Sequence, residues 1–118
     1  MINIPPKDQL AEAISQAARE SEMMLPVDTA RLVEAQKEVV LGRLLWRLDP
    51  VEVIKRDAPS RYQFTETAIY HLTSKDPSAG SASVRVERSG SAFTVHLIQP
   101  IEKGAQGVWA IEKIIGKP

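Results

Sequence analysis

The stretch Ser81-Ala82-Ser83-Val84-Arg85-Val86-Glu87-Arg88-Ser89-Gly90-Ser91-Ala92-Phe93-Thr94-Val95-His96-Leu97 alternates apolar and polar side chains on either side of a Ser-Gly pair. Period-two alternation is the pattern of a half-buried strand, and two such runs joined by a short Gly-containing pair form a hairpin. A two-residue turn at Ser89-Gly90 sets Arg88 opposite Ser91, Val86 opposite Phe93, Val84 opposite Val95 and Ala82 opposite Leu97. Three apolar pairs then share one face. A one-residue slip would send Arg85 and Glu87 to that face instead, so the register is strongly specified.

Working outward, residues 67–73 read as the preceding strand. Placing Leu72 beside Ala82 sets Tyr70 beside Val84 and Ala68 beside Val86. The expected inner face is Ala68, Tyr70, Leu72, Val84, Val86, Phe93, Val95 and Leu97. The opposite face carries Thr67, Ile69, His71, Ser83, Arg85, Glu87, Thr94, His96 and Ile98. Residues 108–115 form a last strand with apolar residues at both parities, as in a strand partly covered on both sides or twisted through the edge of the core. The expected strands are therefore 67–73, 81–88, 92–99 and 108–115. A turn at Lys75-Asp76-Pro77 and a loop over 100–107 complete an antiparallel meander of about four strands within 66–116. Gly107 marks a close backbone approach behind Trp109.

The N-terminal half has helical character. Pro5-Pro6 opens a helix expected over residues 7–24, within an N-terminal helical segment 1–26. Its stripe is Leu10, Ile14, Ala17, Ala18, Ser21, Met24 and Leu25. Asp28 is placed to cap a second helix over 29–41, with Leu32, Val33, Gln36, Val39 and Val40 inward and Gly42 just past its end. Asp49-Pro50 pairs a capping acid with proline at the first helical position, which starts a short helix over 51–56 that Ala58-Pro59 ends. Residues 44–48 fit either a continued helix or an extended segment. With 28–59 helical, the chain is expected to be one α+β domain over 1–118, its N-terminal helices packed on one face of a curved antiparallel sheet.

Composition excludes several function classes. The 118 residues carry 15 Lys+Arg against 15 Asp+Glu, and 43% are hydrophobic, which is globular material. Residues 1–59 hold 8 basic and 10 acidic side chains and residues 60–118 hold 7 and 5, so neither half forms the basic patch that nucleic acid requires. Cysteine is absent, which removes disulfides, thiolate metal sites and thiol catalysis. No apolar run approaches the ~18 residues of a membrane span, so no membrane insertion is expected. The start shows no signal pattern. As it stands the chain reads as cytoplasmic, or as extracytoplasmic if a signal segment was removed. Phosphate-binding glycine loops, zinc helices, nucleophile elbows and acidic calcium loops are all missing, and no cofactor is expected.

Two motifs carry a resemblance. Trp46-Arg47-Leu48-Asp49-Pro50 is one. Leu97-Ile98-Gln99-Pro100, followed by Gly104 and Gly107-Val108-Trp109-Ala110-Ile111, is the other. Over residues 46–115 the chain resembles a small domain of uncharacterised bacterial proteins, many of them exported or envelope-associated. The layout also looks cystatin-like or nuclear-transport-factor-like, with helices across a curved antiparallel sheet. The resemblance brings no catalytic residues with it, because fold likeness does not carry function.

Three groups of residues could carry chemistry. The expected outer row His71–Ser83–His96 could hold an anion or a metal, or form a Ser/His pair. Two strand spacings separate the histidine backbones by about 9–10 Å, and no carboxylate or oxyanion donor joins them. The plainer reading is a polar solvent face with neither a catalytic nor a metal role. Arg85 in the next row could bind a carboxylate or phosphate, but more simply pairs with Glu87 or Glu66. Trp46, Tyr70 and Trp109 could line a ligand pocket between helices and sheet, although the two tryptophans are more simply core anchors.

The resulting expectation is a non-enzymatic interaction or accessory module. The alternative is a small-ligand-binding or enzymatic domain with a pocket between helices and sheet. An open four-stranded sheet leaves two edges, and the apolar strand 108–115 needs cover from a helix or a partner. A protein partner or a second copy of the chain, as a homodimer, is expected.

Overall fold

The structure is a computed structural model and describes residues 22–64 and 67–116. Its elements are β1 (Glu22–Met24), α1 (Thr29–Val40), a 3-10 turn (Leu45–Leu48), α2 (Pro50–Asp57), a second 3-10 turn (Ser60–Tyr62), β2 (Ile69–Asp76), β3 (Ser81–Arg88), β4 (Ser91–Ile98) and β5 (Ala110–Ile115). The strands form one antiparallel sheet in the order β1-β5-β4-β3-β2. The class is α+β, with five strands rather than four.

The β3–β4 hairpin has the expected register throughout: Arg88 faces Ser91, Val86 faces Phe93, Val84 faces Val95 and Ala82 faces Leu97. Ser89 and Gly90 both take positive φ, 50° and 80°, the requirement of a type I′ turn whose twist matches the strands. Val84, Val86 and Val95 are completely buried. Against them pack Val53 and Ile54 of α2, then Tyr62 and Phe64 of the following segment. The Phe93 ring meets Phe64 and Tyr62 edge-on, with centroids 5.1 and 5.8 Å apart.

The helix signals are borne out locally. The Asp28 side chain accepts from Arg31 N–H at the start of α1, and Gly42 takes φ +80 just past its end. The Asp49 side chain accepts from Val51 N–H, and Pro50 opens α2. Residues 45–48 form a 3-10 turn, entered through Leu44 at φ +50, and so neither continue α1 nor extend. The inward face of α1 is Leu32, Ala35, Gln36 and Val39, while Val40 is exposed. Val40 lies beyond the edge of a stripe centred on Leu32 and Val39 at helical spacing.

Four expectations need correction. Residues 22–24 are a strand, not the end of a helix; Glu22 pairs with Ile115, Met23 with Ile114 and Met24 with Lys113. The apolar edge of β5 is thus covered in cis by a strand, because its free backbone groups need hydrogen-bond partners that a helix cannot supply. The rest of the expected helix, 7–21, lies outside the described residues.

The β2 register is displaced by two residues: Tyr70 pairs with Val86 and Leu72 with Val84. The cause is a tight turn at 77–80. Asp76 Oδ1 accepts from Ser78 N–H, Ser78 Oγ–H and Ala79 N–H, and Gly80 N–H donates to Asp76 O at 2.8 Å. Pairing therefore continues to Asp76 opposite Ser81, and Thr73 is absorbed as a bulge, donating its hydroxyl to Ser83 O. Leu72, expected in the core, is exposed.

The helices also do not share one face. Ala110 pairs with Ile98 and points away from the face of Leu97 and Ile111. The α1 residues Leu32, Ala35 and Val39 cluster there with Val108 and Ala110, apart from the main core. The start of β5 is consequently buried on both sides, as its mixed parity implied.

Two outcomes follow. Phe93→Ala should cost about 3–5 kcal/mol in chemical denaturation, since its ring is 2% exposed amid two other rings. The Asp76 carboxyl is held below its ordinary value of 3.8, chiefly by the Ser78 hydroxyl and then by the Ala79 N–H. A lowered folded-state value stabilises the turn above the ordinary value, and the effect is lost as pH falls through the lowered one. Protection of the Ser78 and Ala79 amides, relative to the rates of an unstructured peptide, should therefore fall as pH drops below 3.8 and through the lowered value, and Asp76→Asn should abolish that step.

Candidate functional site

The two-residue displacement of β2 takes the expected polar row apart. His71 sits opposite Arg85, while Ser83 has Ser74 on one side and His96 on the other. His71 is therefore not in the row of Ser83 and His96, and His71–Ser83–His96 is not a contiguous constellation. Ser83 Oγ and His96 Nδ1 share a hydrogen bond of 2.9 Å. Lys113 continues that row beyond His96, and its ammonium lies 3.9 Å from Glu22. A serine so placed has a base, but the pair lies on a sheet face with no convergent backbone donors for an oxyanion. Arg85 donates to Glu87 at 3.1 Å, with both side chains largely exposed, as the plainer reading expected. Among the described residues, no group of three or more His, Asp or Glu converges as a metal site would require.

The three candidate aromatics have separate surroundings. Trp109 is 1% exposed within the core. The close approach expected at Gly107 is to the 99–104 loop, where a Cβ would lie 1.9 Å from Glu102 O. Trp46 is half-buried with the guanidinium groups of Arg47 and Arg56 over its ring, at 4.4 and 4.9 Å. Tyr70 carries the Lys55 ammonium 5.2 Å from its ring centroid.

What sequence reasoning passed over is Arg47. It is 2% exposed, and its Nη1 donates to Asp57 Oδ2 at 2.6 Å and to Trp109 O at 3.4 Å, while its backbone oxygen accepts from Trp109 N–H at 2.9 Å. Its Nε is buried without an acceptor. Arg47 lines an open cleft of about 410 Å³ between the start of α1, the end of α2 and β5, together with Arg31, Arg56, Asp28 and Asp57. The only sequence signal was an arginine between two apolar residues, Trp46 and Leu48.

At the opposite edge of the sheet, β2 is exposed along nearly its whole length, Ile69 and Leu72 included. Among the described residues no strand pairs with its outer side. No helix of the described residues is long and apolar enough to cross a membrane.

Comparison of the chain with family models, curated proteins and solved structures found no match.

With His71 and His96 in different rows, calorimetric titration with zinc should show no stoichiometric binding tighter than about micromolar. Saturable binding that disappears in His71→Ala/His96→Ala would show that the two rings converge after all.

Proposed function

We propose that the chain is a non-enzymatic interaction module that associates with a second copy of itself by antiparallel pairing of β2 with β2. The observation that supports this reading is the asymmetry of the sheet edges. The β5 edge is covered by β1, whereas β2 offers eight residues of edge. A strand edge carries unpaired N–H and C=O groups, and a second strand is the partner that satisfies them in sequence. Ile69 and Leu72, 54% and 49% exposed, give the pairing an apolar contribution. The packed centre of the inner face, with Val84, Val86 and Val95 fully buried, supports the module over an enzyme whose pocket opens onto the middle of the sheet. The proposed layout is cystatin-like, supported by a helix packed on one face of an antiparallel meander. A relation to exported bacterial proteins rests on the residue pattern of 46–115.

Sedimentation across a wide concentration range tests the pairing. The expected result is a monomer–dimer equilibrium that Leu72→Lys weakens at least tenfold, while the thermal midpoint of the monomer is retained because Leu72 is outside the core. A monomer at the highest soluble concentration, or a dimer indifferent to Leu72→Lys and Ser74→Pro, overturns the reading.

A further inference from the structure

We propose that the cleft around Arg47 binds a small monocarboxylate with an apolar body. This inference is independent of β2 pairing, since the cleft lies beside β5, with β4 and β3 between it and β2.

Three observations carry it. The first is the buried guanidinium. Arg47 has a side chain only 3% exposed, yet of its donors only Nη1 finds an acceptor among the described residues. A buried donor without a partner is uncommon in folded proteins and commonly marks the place of an absent water, ion or ligand. The second is the pair Arg31 and Arg56. Both line the same cleft, and neither side chain forms an ion pair among the described residues. Arg56 is held at the rim by its stacking over Trp46. The third is the composition of the walls. Leu25, Val27, Leu32, Ala110 and Ile111 supply the apolar surface.

Charge and shape then select the ligand. Three arginines against Asp28 and Asp57 leave one positive charge in the lining, which one negative charge balances. Phosphate monoesters carry nearly two at neutral pH. A planar carboxylate also matches the guanidinium fork, accepting two parallel hydrogen bonds. The apolar walls favour a hydrocarbon body over a sugar, and about 410 Å³ lies within the usual range for small-molecule sites.

Octanoate is the probe, with acetate, octylamine and inorganic phosphate as comparisons, followed by isothermal calorimetry and by backbone amide shifts. Octanoate should bind saturably, with shifts at Arg31, Arg56 and Ala110. Acetate, lacking the apolar body, should bind at least tenfold more weakly, and octylamine should not bind. Arg31→Gln/Arg56→Gln alters two exposed side chains and should keep the thermal midpoint while weakening octanoate at least tenfold. Leu72→Lys should bind octanoate like the parent chain, which separates this proposal from the edge reading. The proposal is overturned by absence of saturable octanoate binding up to millimolar concentration. It is equally overturned by unchanged affinity in the double variant, or by phosphate binding as tightly as octanoate.

Discussion

A two-residue turn holds this fold to a single arrangement. With Ser89 and Gly90 both at positive φ, β3 and β4 have one register, and that register decides which face of the sheet is apolar. Everything packed on that face inherits the choice. Val53 and Ile54 of α2 and the ring cluster of Tyr62, Phe64 and Phe93 find apolar partners only because Val84, Val86 and Val95 point toward them. A slip of one residue would replace those valines with Arg85, Glu87 and Thr94, whose burial without partners no core of this size could offset.

The apolar face does not by itself attach the remaining segments. The run from Gln99 to Trp109 has no regular structure, so its backbone groups need side-chain partners. Two buried glutamines supply them. Gln99 Nε2 donates to the carbonyls of Gly104 and Gly107, and its Oε1 accepts from Gly104 N–H. Gln36 of α1 donates to Gln106 O and accepts from Val108 N–H, which ties the first helix to this loop. Arg47 does the same for the second helix, linking Asp57 at its end to both backbone groups of Trp109. Removing one partner of a buried neutral hydrogen bond costs about 1–3 kcal/mol and of a buried ion pair about 3–5 kcal/mol, so these few polar bonds help to set the helices in position alongside the apolar clusters.

Two surfaces of the described residues have opposite chemistry. Along β2 the unused groups are backbone donors and acceptors, which another strand satisfies. In the cleft beside β5 they are guanidinium donors, which an oxyanion satisfies. The cleft adjoins β5, with β4 and β3 between it and β2, so occupation of one leaves the other accessible.

Much of the fold was legible in short-range signals. Asp28 and Asp49-Pro50 announce their helices because a cap acts within three residues. The β3–β4 register follows from alternation around a tight turn, and the close approach at Gly107 from a glycine beside a tryptophan. Residues 22–24 show where such signals end. Met24 and Leu25 fit a helical stripe, and only the unpaired edge of β5, some ninety residues away in sequence, draws Glu22–Met24 into a strand. The bulge at Thr73 is of the same kind, since side-chain bonds at Asp76 lengthen the pairing and shift His71 out of the row of Ser83 and His96. Nothing near Arg47 in sequence signals its burial, which requires the Trp109 backbone, just ahead of β5, to meet it. The sequence by itself therefore determined the class, the two described helices and the central hairpin, through interactions that act over a few residues. Tertiary structure alone decided the sheet edges, the polar row and the cleft, because each depends on which distant backbone or charged group comes to occupy the neighbouring position.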